Sequence, residues 1–242
     1  MPNSSKQAVV LGASIEGLAA AATLARAGLK VHLIEADKVY GGASRAIEFH
    51  PGHRAPGLLH ETSLVRRSLL AELELERHGL RWQSEPGYVH VCSSPGKVLK
   101  LGRSIASHST DSAAHDRWRS FVSRLAPLIA DILDSAPPES QDPGMRDMLD
   151  LAKKGFKLRR LGESDMMELL RIVTMPAWDW MEECFEDPAL RAGLSALVLA
   201  GGVVGPRAAG TTALMLMREA GSGVEPIGGL AAVADALHEC CT

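Results

Sequence analysis

Ala8-Val9-Val10-Leu11-Gly12-Ala13-Ser14-Ile15-Glu16-Gly17 is the stretch that decides the fold. Its first four residues form a short continuous apolar run, as a strand buried on both faces would read. Gly17 to Ala27 is an alanine-rich segment with Leu18, Ala21, Ala22 and Leu24 at helical packing positions, and Gly28 stands where a C-cap belongs. Val31-His32-Leu33-Ile34 gives a second strand, ending at Glu35. Strand, glycine turn, helix and strand within about 30 residues make a βαβ unit.

The turn occupies the place of a G-x-G-x-x-G phosphate loop, and an acid, Glu35, stands about 20 residues further on, where dinucleotide folds bind ribose hydroxyls. Each position has its own task. Gly12 permits the tight turn. Ala13, Ser14, Ile15 and Glu16 lead into the helix N-terminus, whose free N–H groups face a pyrophosphate, and Gly17 lets helix and strand approach. Ser14 departs from the rule, since the second glycine exists to keep a Cβ away from the phosphates. Its hydroxyl can donate to a phosphate oxygen, so the expectation is weakened rather than abolished nucleotide binding.

Ala36 follows the ribose acid, and Gly41-Gly42-Ala43-Ser44-Arg45 comes soon after. A plain NAD dehydrogenase would proceed to another crossover helix with no use for paired glycines here. A segment running beneath a pyrophosphate and flavin does need them, because side chains would clash. The reading is therefore FAD, bound across Gly12–Gly17, Glu35–Ala36 and Gly41–Arg45.

Outside this unit the chain divides coarsely. Residues 36–60 carry little periodicity and read as a long functional loop. Leu64 to His78 has helical spacing, Tyr88 to Leu101 reads as a hairpin turning at Pro95-Gly96, and Asp111 to Ser135 is an amphipathic helix containing Pro127. After a linker at Pro137 to Gly144, Met145 to Met175 is helical and locally basic at Lys153, Lys154, Lys157, Arg159 and Arg160. That basic patch reads as a solvated face or as a surface for lipid headgroups or an acidic partner. Asp187-Pro188 opens another helix through Leu199, Thr211 to Arg218 is helical, and Gly228-Gly229 opens the last helix. The expected organisation is a dinucleotide-binding part at 1–80, an inserted cap at 81–222 and a return helix at 223–242.

Composition excludes several classes. The net charge of −3 and the 4% aromatic content argue against a nucleic-acid partner. No apolar stretch is long enough for a transmembrane helix. Cys92, Cys184, Cys240 and Cys241 form no C-x-x-C, so a redox dithiol and a zinc knuckle are both unsupported, and a reducing cytoplasm fits. His53, His78 and His108 lack companions at ligand spacing, so no metal is expected.

The sequence resembles the phytoene-desaturase-related FAD oxidoreductases, especially the pyridine-nucleotide-disulphide-oxidoreductase-domain branch. The resemblance begins with Val9 to Ser14, Glu35 and Gly41-Gly42-Ala43. It continues through Pro51-Gly52-His53-Arg54, Leu73 to Leu80, Thr110-Asp111-Ser112-Ala113, Gly205-Pro206-Arg207, Gly210-Thr211 and Gly228-Gly229-Leu230. It implies an α/β fold: a Rossmann-like, glutathione-reductase-type FAD domain with an inserted α+β substrate domain. It also implies hydride removal from an organic substrate, often forming a double bond. Val39 and Ala43 stand where amine-oxidase relatives carry arginines, and Ala55-Pro56-Gly57 lacks the acid of the carotenoid enzymes. Family members continue past the last helix into a further strand and a flavin-end motif. The fold is thus expected to be incomplete without a second polypeptide supplying the C-terminal half, a truncation at Thr242 being the competing account.

Flavin chemistry asks little of side chains beyond orientation and electrostatics. Arg45 is a candidate to anchor an anionic substrate or reduced flavin, and His60 a candidate to take a proton. Both also admit purely structural roles. Met166, Met167, Met175, Met181, Met215 and Met217 with Trp178 and Trp180 suit either an apolar substrate cavity or a core. Besides a two-chain dehydrogenase or desaturase, an FAD-containing isomerase or cyclase and a non-catalytic scaffold subunit remain open.

Overall fold

The structure is a computed structural model, and it describes residues 6–59, 61–63, 65–85, 89–94, 97–102, 110–135, 144–199, 204–221 and 225–242. Two compact units emerge. The first comprises Met1–Thr62, Arg67–Glu85 and Val224–Thr242, and the second Ser63–Arg66 and Pro86–Gly223.

The first unit is built on strands β1 (Gln7–Leu11) and β2 (Lys30–Ile34), parallel and in register from Gln7 opposite Lys30 to Leu11 opposite Ile34. Helix α1 (Ile15–Arg26) makes the crossover, burying Leu18, Ala19, Ala21 and Ala22. Its alanines allow helix and sheet to approach closely, while Gly28 at φ +85° turns the chain back toward β2. The expectation of strands buried on both faces needs correction. Ala8, Val10, Val31 and Leu33 are half-buried, whereas Val9 (62%), Leu11 (78%) and Ile34 (53%) on the other face are exposed. One layer covers one face, and among the described residues no element covers the other.

Residues 36–60 are also more ordered than a long loop. They contain a 3₁₀ turn at Gly42–Ser44 and an antiparallel pair, β3 (Ile47–His50) and β4 (His53–Ala55), closed around Pro51-Gly52. The short strands escape detection because their side chains are almost all exposed and show no alternation. The helical stretch before His78 is broken into α2 (Arg67–Glu72) and a 3₁₀ turn (Leu75–His78), with Glu74 left-handed at φ +53° between them. The 3₁₀ turn packs with α9 (Gly229–Cys241), which lies against α1 and opens from Gly228 at φ +92°.

The second unit joins the hairpin β5 (Val89–Ser94) and β6 (Lys97–Leu101) to helices α3 (Ser112–Asp134), α4 (Met145–Arg160), α5 (Glu163–Ile172), α6 (Ala177–Cys184), α7 (Pro188–Ser195) and α8 (Thr211–Gly221). The hairpin turn itself lies outside the described residues. Met145 to Met175 is two helices rather than one, because Gly162 at φ +89° cannot continue a right-handed helix. Helix α6 escaped the sequence reading, being short and opened by Pro176 in an extended conformation. Trp118, Leu125, Ile172, Trp180, Met181, Leu190 and Met215 form one apolar core, so the aromatic and methionine residues there pack rather than line a cavity. Met167, by contrast, is exposed.

Asp111 locks the entrance of α3 to that of α7. Its carboxylate oxygen accepts N–H bonds from Glu186 at 2.9 Å and Asp187 at 2.7 Å, and the residue is buried. Asp111→Ala leaves both donors without this acceptor and should cost about 1–3 kcal/mol. Urea unfolding of the variant checks this, and an unchanged midpoint would contradict it.

Candidate functional site

The two glycine turns of the first unit meet at one residue, Ala13. Gly12, at φ +93°, closes β1 and donates its N–H to the Ile34 carbonyl at 2.7 Å. Ala13 donates its N–H to Glu35 Oε2 at 2.5 Å, and its carbonyl accepts the Gly41 N–H at 2.7 Å. One residue is thereby tied both to the end of β2 and to the second turn.

Ser14 is the N-cap of α1, its Oγ accepting the Gly17 N–H at 3.4 Å. A hydroxyl that accepts still has its own proton to donate. The first-turn N–H groups of Ile15 and Glu16 have no intrahelical acceptor, as at any helix start. Gly17 has a strict steric basis, since an added Cβ would run into the Gly12 carbonyl oxygen. The same added Cβ would stand 3.8 Å from the Val10 side chain.

The paired glycines are shaped by Ser14. A Cβ on Gly42 would stand 3.2 Å from the Ser14 Cβ, and Gly41 and Gly42 take φ of +94° and +53°. Ser44 is buried and donates its hydroxyl to the Gly41 carbonyl at 2.9 Å. The Ala43 carbonyl accepts the Leu59 N–H at 2.9 Å and passes close to Gly57, whose Cβ would meet it at 2.6 Å. Gly57 thus matters here for its lack of a side chain, a role the sequence reading did not assign.

Glu35 accepts a second N–H, from Asp37 at 3.0 Å. The Asp37 and Ala13 N–H groups hold its carboxyl below the ordinary value of 4.5, so it is a carboxylate with lone pairs left over for further donors. Ala36 lies between these two residues. Arg45, half-exposed, pairs with Asp37 at 3.4 Å. His60 lies outside the described residues.

A third anchor was not foreseen. Tyr40 donates its hydroxyl to Asp235 at 3.0 Å and stacks on the His238 ring at a centroid distance of 4.0 Å, fixing the second turn to α9. Burial and the Asp235 carboxylate push the Tyr40 phenol up. The available signal was that one of the chain's 2 tyrosines directly precedes the paired glycines. At the end of α9, the Cys241 thiol donates to the Leu18 carbonyl at 3.5 Å, and burial pushes its pKa up. A protonated, hydrogen-bonded thiol is not a redox nucleophile. Among the described residues no cluster of His, Cys, Asp or Glu could hold a metal ion.

Known proteins resemble this chain in sequence and in fold. Residues 10–64 match the family described as an NAD(P)-binding Rossmann-like domain. The chain is 27% identical to pyridine nucleotide-disulfide oxidoreductase domain-containing protein 2 of Rattus norvegicus, over 97% of this chain and 45% of that protein. It is 34% identical to phytoene desaturase of Cercospora nicotianae over 46% of this chain and 19% of that protein. A putrescine oxidase structure superposes with a TM-score of 0.53 at 20% identity, over 98% of this chain and 49% of the other. The resemblance read from the motifs is borne out, and the Rossmann-like α/β fold with it. The chain spans about half the length of the curated relatives it matches over nearly its whole length.

The Glu35 bonds have a pH signature. Its folded pKa lies below 4.5, so its stabilising contribution is complete above that pH and is lost as pH falls through the depressed value. The melting-temperature gap between the parent and Glu35→Gln should therefore be constant near neutrality and close in acid. A gap that widens as pH falls would refute this account.

Proposed function

We propose that this chain is the FAD-binding N-terminal part of an FAD-dependent oxidoreductase that dehydrogenates an organic, partly apolar substrate. A second polypeptide supplies the C-terminal half. The observation that carries the reading is the Ala13 clamp, which brings the helix start, the ribose-type acid and the paired glycines to one place.

The residues fit such a group. Gly12, Ala13, Ser14, Ile15, Glu16 and Gly17 would hold the pyrophosphate, with the α1 dipole favouring its charge. Glu35, with Ala36 beside it, would accept the adenosine ribose hydroxyls. Gly41, Gly42, Ala43 and Ser44 would pass beneath the cofactor, where the two glycines leave the backbone bare. When bound, FAD supplies a two-electron acceptor for substrate hydride. Arg45 is free enough of burial to turn from Asp37 toward an anionic group. His60 keeps its candidate role as proton acceptor.

Completion by a partner is supported by the half-length match and by the bare sheet face at Val9, Leu11 and Ile34. All 4 cysteines are free, as suits a reducing cytoplasm. No helix among the described residues is long and apolar enough to cross a membrane.

Flavin absorbance of the protein co-purified with its completing chain tests the reading. Glu35→Ala should lower retained flavin about tenfold or more, because charge-assisted hydrogen bonds are lost. Ser14→Gly should raise retention while costing the α1 cap only a few tenths of a kcal/mol. A colourless parent complex, or unchanged flavin in Glu35→Ala, would sink the assignment. Anaerobic bleaching by substrate separates dehydrogenation from isomerisation.

A further inference from the structure

Helix α4 is turned inside out. Met145, Met148, Leu149, Ala152 and Phe156 recur at three- and four-residue intervals and so share one face. That face is the solvent face: Met145 is 81% exposed, Met148 63% and Phe156 62%. The half-buried positions are Asp147, Lys154 and Leu158, on the other side of the helix. A helix held only by its own unit buries its apolar stripe and wets its charges, so this arrangement leaves an apolar face without a partner. Helix α5 follows after two residues and also exposes large apolar side chains, Met167 and Leu170.

We propose that the exposed face of α4 docks onto an anionic lipid surface. Charge selects this occupant. Lys153, Arg159 and Arg160 lie close to the apolar stripe, near enough for long side chains to reach headgroups while the stripe enters the acyl boundary. The Arg160 guanidinium already lies over the Phe156 ring at 5.8 Å, with aromatic body and cation side by side. Lys153 pairs with Asp150 and Lys157 with Asp131, but Arg159 and Arg160 have no ion pair among the described residues. The protein as a whole carries a net charge of −3, so the cations gathered on this helix are a local feature. A lipid surface also suits a helix because all its interior backbone groups are satisfied within the element. The match to an anionic headgroup layer is therefore one of both polarity and form.

Vesicle flotation of the full chain tests this, with phosphatidylcholine alone and with phosphatidylserine as a third of the lipid. The chain should float with the serine-containing vesicles and stay behind with neutral ones, and binding should weaken as salt rises. Arg159→Gln with Arg160→Gln should lower the vesicle affinity about twenty-five-fold, since each cation near such a surface is worth about fivefold. Met148→Glu with Phe156→Glu should abolish flotation. Both sites are exposed, so circular dichroism and melting temperature should match the parent and certify folding. Equal flotation on neutral vesicles would overturn the proposal, as would unchanged flotation of the folded double-glutamate variant. So would a double-glutamate variant that loses its completing chain yet still floats, since the face would then belong to a protein contact.

Discussion

The backbone of Ala13 is the constraint on which the first unit depends. Its N–H is held by Glu35 and its carbonyl by Gly41, so the turn after β1, the end of β2 and the second glycine turn cannot move independently. Each partner in turn requires a special residue. Gly12 and Gly41 take left-handed φ values that other residues adopt only under strain, and Gly17 must lack a Cβ because the Gly12 carbonyl occupies that space. Preorganisation of this kind suits a site that presents backbone to a ligand, since no loop ordering remains to oppose binding.

The return of the chain through α9 completes the arrangement. Tyr40 reaches from the second turn to Asp235 and His238, nearly two hundred positions later in sequence but adjacent in space. The same helix packs on α1, on the 3₁₀ turn at Gly42–Ser44 and on the 3₁₀ turn at Leu75–His78, so one element holds three separate segments of the unit together. The Ser14 departure also acquires a structural meaning. Its Cβ fills the room that a side chain at position 42 would need, so the two turns are matched to each other as well as to a ligand.

Legibility in the sequence followed period and punctuation. The βαβ unit was plain because Gly12, Gly17 and Gly28 punctuate one apolar strand, one alanine-rich helix and a second strand. Asp187 was legible as an N-cap, and its side chain does accept the Ala189 N–H at 2.8 Å. What could not be read were elements whose side chains carry no periodic burial, such as β3 and β4, and breaks set by single backbone angles at Glu74 and Gly162. The Tyr40 anchor was hidden for another reason: long-range side-chain partners leave no local pattern. The strands at Ala8–Leu11 and Val31–Ile34 misled in an instructive way. Their continuous apolarity correctly marks two faces that need cover, whereas the described chain covers only one.

Among the described residues, the exposed sheet face and the exposed face of α4 differ in the chemistry that can cover them. The sheet face ends in Leu11 and Ile34, paired in register, and the strands beside it also carry backbone donors and acceptors along their outer edges. Hydrocarbon cannot satisfy such edge groups, and each one left unpaired in lipid is costly, so this surface suits polypeptide rather than a lipid layer. The α4 face has the opposite character. Its backbone bonds are closed within the helix, its side chains at Met145, Met148, Leu149 and Phe156 are apolar, and cations stand beside them. The proposed polypeptide completion at one surface and the proposed lipid contact at the other rest on the same accounting of backbone hydrogen bonds and charge, applied to a strand pair in one case and a helix in the other.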